Sequence, residues 1–449
     1  MIDSEFTVIN LVNSVINGKT SVKSLTDCLI ARVGVVNQGI HAFTEVRKEY
    51  ILDQAKSLDQ NKQDGCYLGK LYGVPIAVSD NISTSDFFTE QGSKIYKGQQ
   101  LSKDATVVLR LRNEGAVIFG KTNLTEFSDS EPTITLNPHN QNRSPGGSAS
   151  GAAASVAAGL VPLSVASQND GSIITSASYC GVYGFKPTNG LVPRTGLMTK
   201  STTFDSIGFF SRSIEDIGYV MEVVSGDDGL DSDSSGFACG KKFFQILSDD
   251  PPFDPKFLYA KTPSITKLDK SIQKTMKTLC KKMSAHLTEI DLPKLVLTSE
   301  NIFKIIYDVE LSSNLSNEYE NHKSLLSPGI KRKIRNGKKI TGYDYLKALG
   351  NIEKIRLAFN DFFEHFDAII TPSTPSVAPL LNQKITTDRC LSTMWSLSGF
   401  PMINLPMFNL DNSMPFGIQL VGRPNDDARL LRTARWLVNN FGQTQRNTL

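Results

Sequence analysis

Residues 144–159 read SPGGSASGAAASVAAG, sixteen positions with no charge and no side chain larger than valine. A run this small is compatible with few environments. Gly146 and Gly147 permit a left-handed backbone and the close approach of a second chain. The alanines from Ala152 to Ala158 form helix readily, and Gly159 stops it. Ser148 therefore falls on a glycine turn just before a helix that has to be buried, with the positive end of that helix nearby. Taken alone, the stretch fits a tightly packed helix with a serine N-cap.

The next such stretch, SQNDGSIITSASYCGVYGFKP at residues 167–187, changes that reading. Ser172 follows Asp170 and Gly171, after a short strand and ahead of a second small-residue helix. A strand–Asp–Gly–Ser–helix corner has the form of a nest, in which successive backbone N–H groups point at one spot and hold an anion or an oxyanion. Two serines on two glycine turns, 24 residues apart, exceed what packing requires.

The remaining composition excludes more than it specifies. The 449 residues are 40% hydrophobic and 21% charged, enough to bury a large core, and the net charge of +3 gives no bulk field for nucleic acid or membrane. The basic stretch KRKIRNGKK at residues 331–339 reads as a solvated helix face rather than a phosphate site. Six scattered cysteines (Cys28, Cys66, Cys180, Cys239, Cys280, Cys390) form no Cys-x-x-Cys pair and read as free thiols. No apolar run approaches the ~18 residues of a membrane span. The opening MIDSEFTVIN has neither the apolar core of a secretory signal nor the Arg-rich, acid-poor character of a transit peptide.

Periodicity predicts helices through FTVINLVNSVIN and VKSLTDCLIARVGVV, a strand at GVPIAV, and a helix at DATVVLRLRNEG with Asp104 near its N-cap and Gly115 at its end. Strands are expected at AVIFG, VPLSVAS, FDAIITP, PMINLPM and PFGIQLVG. That alternation predicts an α/β fold, a mixed sheet flanked by helices on both faces. Residues 225–236, SGDDGLDSDSSG, read as loop, and residues from about 240 to 365 as a Lys-rich, mostly helical insertion. The expected organisation is one domain over 1–449, with its core in about 60–225 and 366–449.

These motifs resemble the amidase signature family. Gly146-Gly147-Ser148-Ala149-Ser150-Gly151, Asn169-Asp170-Gly171-Ser172-Ile173 and Cys180-Gly181-Val182-Tyr183-Gly184-Phe185-Lys186-Pro187-Thr188 stand where the family has its Gly/Ser-rich, Asp-Thr-Gly-Gly-Ser-Ile-Arg and Cys-Gly-Val motifs. The segments GVPIAVSDNI, FDSIGFFSRSIEDI and LSGFPMINLPM follow in family order. DATVV…GAVIFGKTNLTEF, LSSNLSNEY and GIKRKIRNG are most similar to the branch formed by the A subunits of glutamyl-tRNA(Gln) amidotransferases. That resemblance implies release of ammonia from glutamine to convert Glu-tRNA(Gln) into Gln-tRNA(Gln). It assigns Ser172 as nucleophile, Ser148 as proton relay on a cis peptide, Asn169, Asp170 and Gly171 as oxyanion hole, and Arg356 and Asp411 as binders of the glutamine carboxylate and amine. It implies no metal or cofactor in this chain, ATP and Mg²⁺ on a partner, a tRNA-binding B subunit, a small third subunit, indirect nucleic-acid contact, and a mitochondrial location, or a cytoplasmic one in a bacterium.

The sequence also departs from the pattern. The resemblance places the family's buried lysine base, at the end of GVPIAV, at Ser79. Gln168-Asn169-Asp170-Gly171 replaces Asp-Thr-Gly-Gly, and Ile174 replaces the arginine after Ser-Ile, so the charge pairing within that motif is expected to be lost. None of the five histidines lies in the serine motifs; His139 reads as a surface residue. Lys121 belongs to GKTN, which the family does not use as base. General acid–base catalysis contributes roughly 10²–10⁴ in rate, so the family route is not expected at full rate. Three readings stay open: an amidotransferase subunit with an altered site, a pseudo-amidase kept for a structural role in a complex, and a free-standing hydrolase of small amides.

Overall fold

The computed structural model describes residues 6–129, 132–292, 294–383, 388–410 and 413–442. Eleven strands among them form one sheet: β1 (Phe43–Glu45), β2 (Pro75–Ser79), β3 (Val117–Thr122), β4 (Leu163–Gln168), β5 (Tyr183–Lys186), β6 (Ser206–Ser211), β7 (Phe257–Lys261), β8 (Leu287–Asp291), β9 (Ala368–Pro372), β10 (Met402–Leu410) and β11 (Met414–Val421). Their spatial order is β1-β3-β2-β4-β6-β5-β10-β11-β9-β7-β8. The β3-β2-β4 and β9-β7-β8 stretches are parallel, and the pairs from β4 to β9 are antiparallel. β2, β3, β4, β6, β9 and β11 are buried at every residue. Such strands need cover on both faces, which is why they read as continuous apolar or small runs rather than alternating ones.

The small-residue run becomes the helix Ser150–Ala157, buried at all eight positions. Its smallness has a backbone cause: a Cβ on Gly151 would stand 2.2 Å from the Ala42 carbonyl oxygen and 2.6 Å from the Asn123 nitrogen. Gly159, with φ +60, ends the segment as expected. The helix N-cap is Ala149 with no side-chain cap, so Ser148 is not the capping serine that the run alone suggested. The helix Thr106–Asn113 closes on Gly115 at φ +83, but Asp104 does not cap it. Its carboxylate instead accepts from Ser85 N (2.7 Å) and Arg112 Nε (2.9 Å).

Residues 240–365 are not helical throughout, because they also supply β7 and β8 at one edge of the sheet. The helices Ser299–Asn314, Pro328–Gly337 and Gly342–His365 gather a second apolar cluster, with Ile306, Leu311, Ile330, Ile334, Ile355 and Phe359 closing on Trp395. The basic stretch lies on Pro328–Gly337; Ile330 and Ile334 face inward, and Lys333 turns from the solvated face to pair with Asp129. No helix among the described residues is long and apolar enough to cross a membrane.

Candidate active site

The site lies at the carboxyl ends of β2 and β4. Val78 pairs with Val165 in parallel register, so the chain leaves both strands side by side, at Ser79 and at Gln168. Crevices at strand carboxyl ends are where open α/β sheets bind ligands. Ser79 is the last residue of β2 and is buried. Two residues on, the Asn81 side-chain amide donates to Ser167 Oγ (2.7 Å) and Ser128 Oγ (3.0 Å), tying the exit of β2 to the end of β4. The Ser167 carbonyl accepts from Ser172 Oγ (3.0 Å).

Ser172 is buried and opens the helix Ser172–Cys180 after Gly171, whose φ of +125 only glycine adopts readily. The helix has no N-cap side chain. Gln168 does that work from four residues back, its Oε1 accepting from Ile173 N (2.8 Å) and Ile174 N (3.3 Å). The backbone N–H groups of residues 169–172 find no protein acceptor among the described residues, and the buried Asn169 Nδ2 has none either. Open donors at a helix N-terminus suit an oxyanion.

Ser148 is buried and follows a cis peptide bond at Gly147–Ser148. Its turn touches the Ser172 helix: a Cβ on Gly146, at φ +84, would lie 2.8 Å from Ser176 Cα. No hydrogen bond joins the Ser148 and Ser172 hydroxyls among the described residues, because Ser172 Oγ is turned to Ser167. The clamp between the two serine turns is Arg389, unnoticed in the sequence. Its Nη1 donates to both carboxylate oxygens of Asp170 (2.6 and 2.7 Å), its Nε to the Gly147 carbonyl (3.1 Å) and its Nη2 to the Asp129 carbonyl (3.4 Å). The pairing within the motif is gone, since Gln168 and Ile174 carry no charge, and a different pair, Asp170 with Arg389 from a distant segment, stands at the turn.

Arg356 makes no hydrogen bond or ion pair with the residues of these turns among the described residues. It lies on the helix Gly342–His365, donates through Nε to the Ser398 carbonyl (2.9 Å), and its side chain is 41% exposed. Asp411 lies outside the described residues. His139 is half-buried rather than a surface residue, its Nε2 2.9 Å from the Cys180 carbonyl oxygen, and burial pushes its pKa down. Lys121 is fully buried, and burial lowers its pKa to about 8 against the pull of Asp80. Its ammonium is already held by the Ile82 carbonyl, Thr89 Oγ1 and Thr84 Oγ1.

The Amidase family matches residues 24–431. The chain belongs to the amidase family. As an amidase-family enzyme it falls in the amidase and amidotransferase class. It is similar to the glutamyl-tRNA(Gln) amidotransferase A subunit of Fusobacterium nucleatum subsp. nucleatum, 33% identical over 98% of this chain and 97% of that protein. The corresponding subunit of Sulfurihydrogenibium sp. (strain YO3AOP1) is 35% identical over 91% of this chain and 92% of its own length. Among solved structures, one described as "An unexpected vestigial protein complex reveals the evolutionary origins of an s-triazine catabolic enzyme" superposes with a TM-score of 0.90 at 25% identity, covering 97% of this amidase-family chain and 99% of that one. The native peptide amidase from Stenotrophomonas maltophilia, 23% identical with a TM-score of 0.84 and 97% coverage of both chains, shares the fold.

Proposed function

We propose that this chain is the glutamine-hydrolysing A subunit of a glutamyl-tRNA(Gln) amidotransferase, releasing ammonia that converts Glu-tRNA(Gln) to Gln-tRNA(Gln). The observation that carries the reading is Ser172 at the head of a buried helix, beside N–H groups with no protein acceptor among the described residues. Ser172 Oγ attacks the side-chain amide carbonyl of glutamine, the N–H groups of residues 169–172 receive the oxyanion, ammonia leaves, and water releases glutamate from the ester. Ser148 relays the proton. The similarity to named A subunits supports two partners, a tRNA-binding B subunit with a small third subunit. ATP and Mg²⁺ then belong to a partner, this chain holds no cofactor, and its contact with tRNA is indirect.

One observation favours a second reading, a structural subunit without activity: Ser79 stands where the resemblance implies the lysine base. The two readings separate on the purified complex supplied with Glu-tRNA(Gln), ATP and Mg²⁺. Glutamine-dependent Gln-tRNA(Gln) formation is expected in the wild type and should fall by about 10³-fold or more in Ser172→Ala, given that loss of a serine nucleophile can cost about 10⁶. Ammonium chloride should restore the Ser172→Ala reaction. An unimpaired glutamine-dependent reaction in Ser172→Ala would sink the nucleophile assignment.

A further inference from the structure

Among the described residues three lysines are fully buried: Lys121, Lys186 and Lys200. Two are conventionally satisfied. Lys121 has three oxygen acceptors, and Lys186 donates to the Pro187 carbonyl (2.7 Å) and Asn189 Oδ1 (2.8 Å). The Lys200 ammonium has no hydrogen-bond acceptor and no carboxylate within 4 Å among the described residues, although the residue is only 2% exposed. A lysine side chain this deeply enclosed, with three ammonium donors and no protein acceptor, is an expensive arrangement for a structural residue.

The backbone of Lys200 is held against the candidate site. Leu197 bridges to Ile82, and Met198 N donates to the Asn81 carbonyl (3.0 Å). Asn81 is the residue whose side chain reaches Ser167, the holder of Ser172 Oγ. Lys200 N and Ser201 N both donate to Asp205 Oδ2 (2.7 and 3.0 Å), and the Lys200 carbonyl accepts from Asn314 Nδ2 (2.9 Å). With both its backbone polar groups engaged, the side chain is the uncommitted part of the residue. The charges acting on it are Asp205 beside it, Asp170 on the Ser172 turn and Asp129, which favour its ammonium form, while Arg389, the clamp between the two serine turns, opposes it. Tyr307, on the helix Ser299–Asn314, is buried against the same cluster, and Lys333 pairs with Asp129 from the helix Pro328–Gly337.

We propose that Lys200 is the general base of this active site, delivered from the segment between β5 and β6 rather than from the end of β2. This rests on the amidase reading above. The neutral amine takes the Ser172 Oγ proton, directly or through Ser148, as the oxygen bonds to the amide carbon. The resulting ammonium returns that proton to the departing nitrogen as the carbon–nitrogen bond breaks, leaving an ester on Ser172 and free ammonia. In the second half the amine takes a proton from water, hydroxide adds to the ester carbon, and the proton goes back to Ser172 Oγ as the carbon–oxygen bond breaks. Burial pushes the Lys200 pKa down, the direction a lysine needs in order to act as a base near neutral pH.

The test uses the assembled complex and a p-nitrophenyl ester of a small acyl group, whose nitrophenol burst reports acylation of Ser172, alongside ammonia release from glutamine. Lys200→Met should slow both by about 10²–10⁴-fold. Lys200→Arg keeps the charge, which a merely structural counter-ion would need, but cannot give up its proton near neutrality; it should be slowed as much. In Lys200→Ala, added small primary amines should accelerate the burst in the order of their basicity. The wild-type burst rate should rise with pH and level off above a single ionisation lying below the usual lysine range of about 10.4. A Lys200→Arg complex as fast as wild type, or a Lys200→Ala complex indifferent to amines, overturns the assignment while leaving the amidase reading intact. An inert wild-type complex overturns both.

Discussion

Arg389 shows how one residue can repair a motif from outside it. It neutralises Asp170 beside the open N–H groups and simultaneously holds the carbonyl of the cis Gly147–Ser148 peptide. An uncompensated carboxylate at that point would oppose an oxyanion on the neighbouring donors. Removing one partner of a buried pair costs about 3–5 kcal/mol; the Asp170 side chain is 21% exposed, so solvent screening reduces that figure here. Arg389→Met is therefore expected to lower the urea midpoint and to slow acylation of Ser172. Arg389→Met combined with Asp170→Asn should recover part of the stability. A double variant no more stable than the single one would show that the pair is not what Arg389 contributes.

At the scale of elements, the site depends on backbones packed closer than side chains permit. Gly151→Ala places a methyl group 2.2 Å from the Ala42 carbonyl oxygen and should cost about 1–3 kcal/mol, read as a lower denaturant midpoint. An unchanged midpoint would mean that the helix Ser150–Ala157 can move away freely. A second element-level device is Asp216, which accepts from Val8 N (2.9 Å), Ile9 N (3.2 Å) and Ser211 Oγ (3.2 Å) and so anchors the first helix, Val8–Ile16, to the helix Ile214–Val224. Burial holds its carboxyl at about 6, above the ordinary 3.8. The folded state thus binds this proton more tightly than the unfolded state does. The associated stability is fully present below pH 3.8 and is lost as pH rises through about 6. Asp216→Asn should flatten that part of the stability–pH curve, by at most about 3 kcal/mol. An unchanged slope between those values would show that the group does not titrate as burial requires.

At the scale of the molecule, the second apolar cluster supports the serine turns from behind. The short helix Thr393–Leu397 begins four residues after Arg389. Ser392, which precedes it, packs so closely on the Ser172 turn that a Cβ on Gly171 would lie 2.5 Å from the Ser392 Cβ. Trp395 on that helix meets Phe359 of the long helix Gly342–His365, with ring centroids 5.2 Å apart. Phe359→Ala should cost about 3–5 kcal/mol through its cavity and should also slow the Ser172 burst, since the wall carrying Arg389 loses its backing. A variant destabilised to that extent but acylating at the wild-type rate would show that the cluster supports the fold alone.

The two serine turns, the helices they open and most of the central strands were legible in the sequence, because small residues and glycine positions report backbone proximity locally. The smallness of residues 150–157 and the burial of β2 and β4 express the same constraint, two closely approached elements meeting at one corner. The edge strands were not legible: β1 has three residues, and β8 buries no residue fully and lacks strict alternation, its half-buried positions Leu287 and Ile290 standing three apart, within a Lys-rich stretch whose composition favours helix. Nor were Arg389, Asp129 and Lys200, which no local pattern marks. Arg389 lies 219 residues from Asp170, and a charge pair across that separation leaves no periodicity behind. The sequence by itself determined where a nucleophile and its N–H donors could form, since a strand–glycine–serine–helix corner is local geometry. The tertiary structure alone decided which charges surround that corner, because burial and through-space distance set the protonation of a side chain, and neither is a property of its neighbours along the chain.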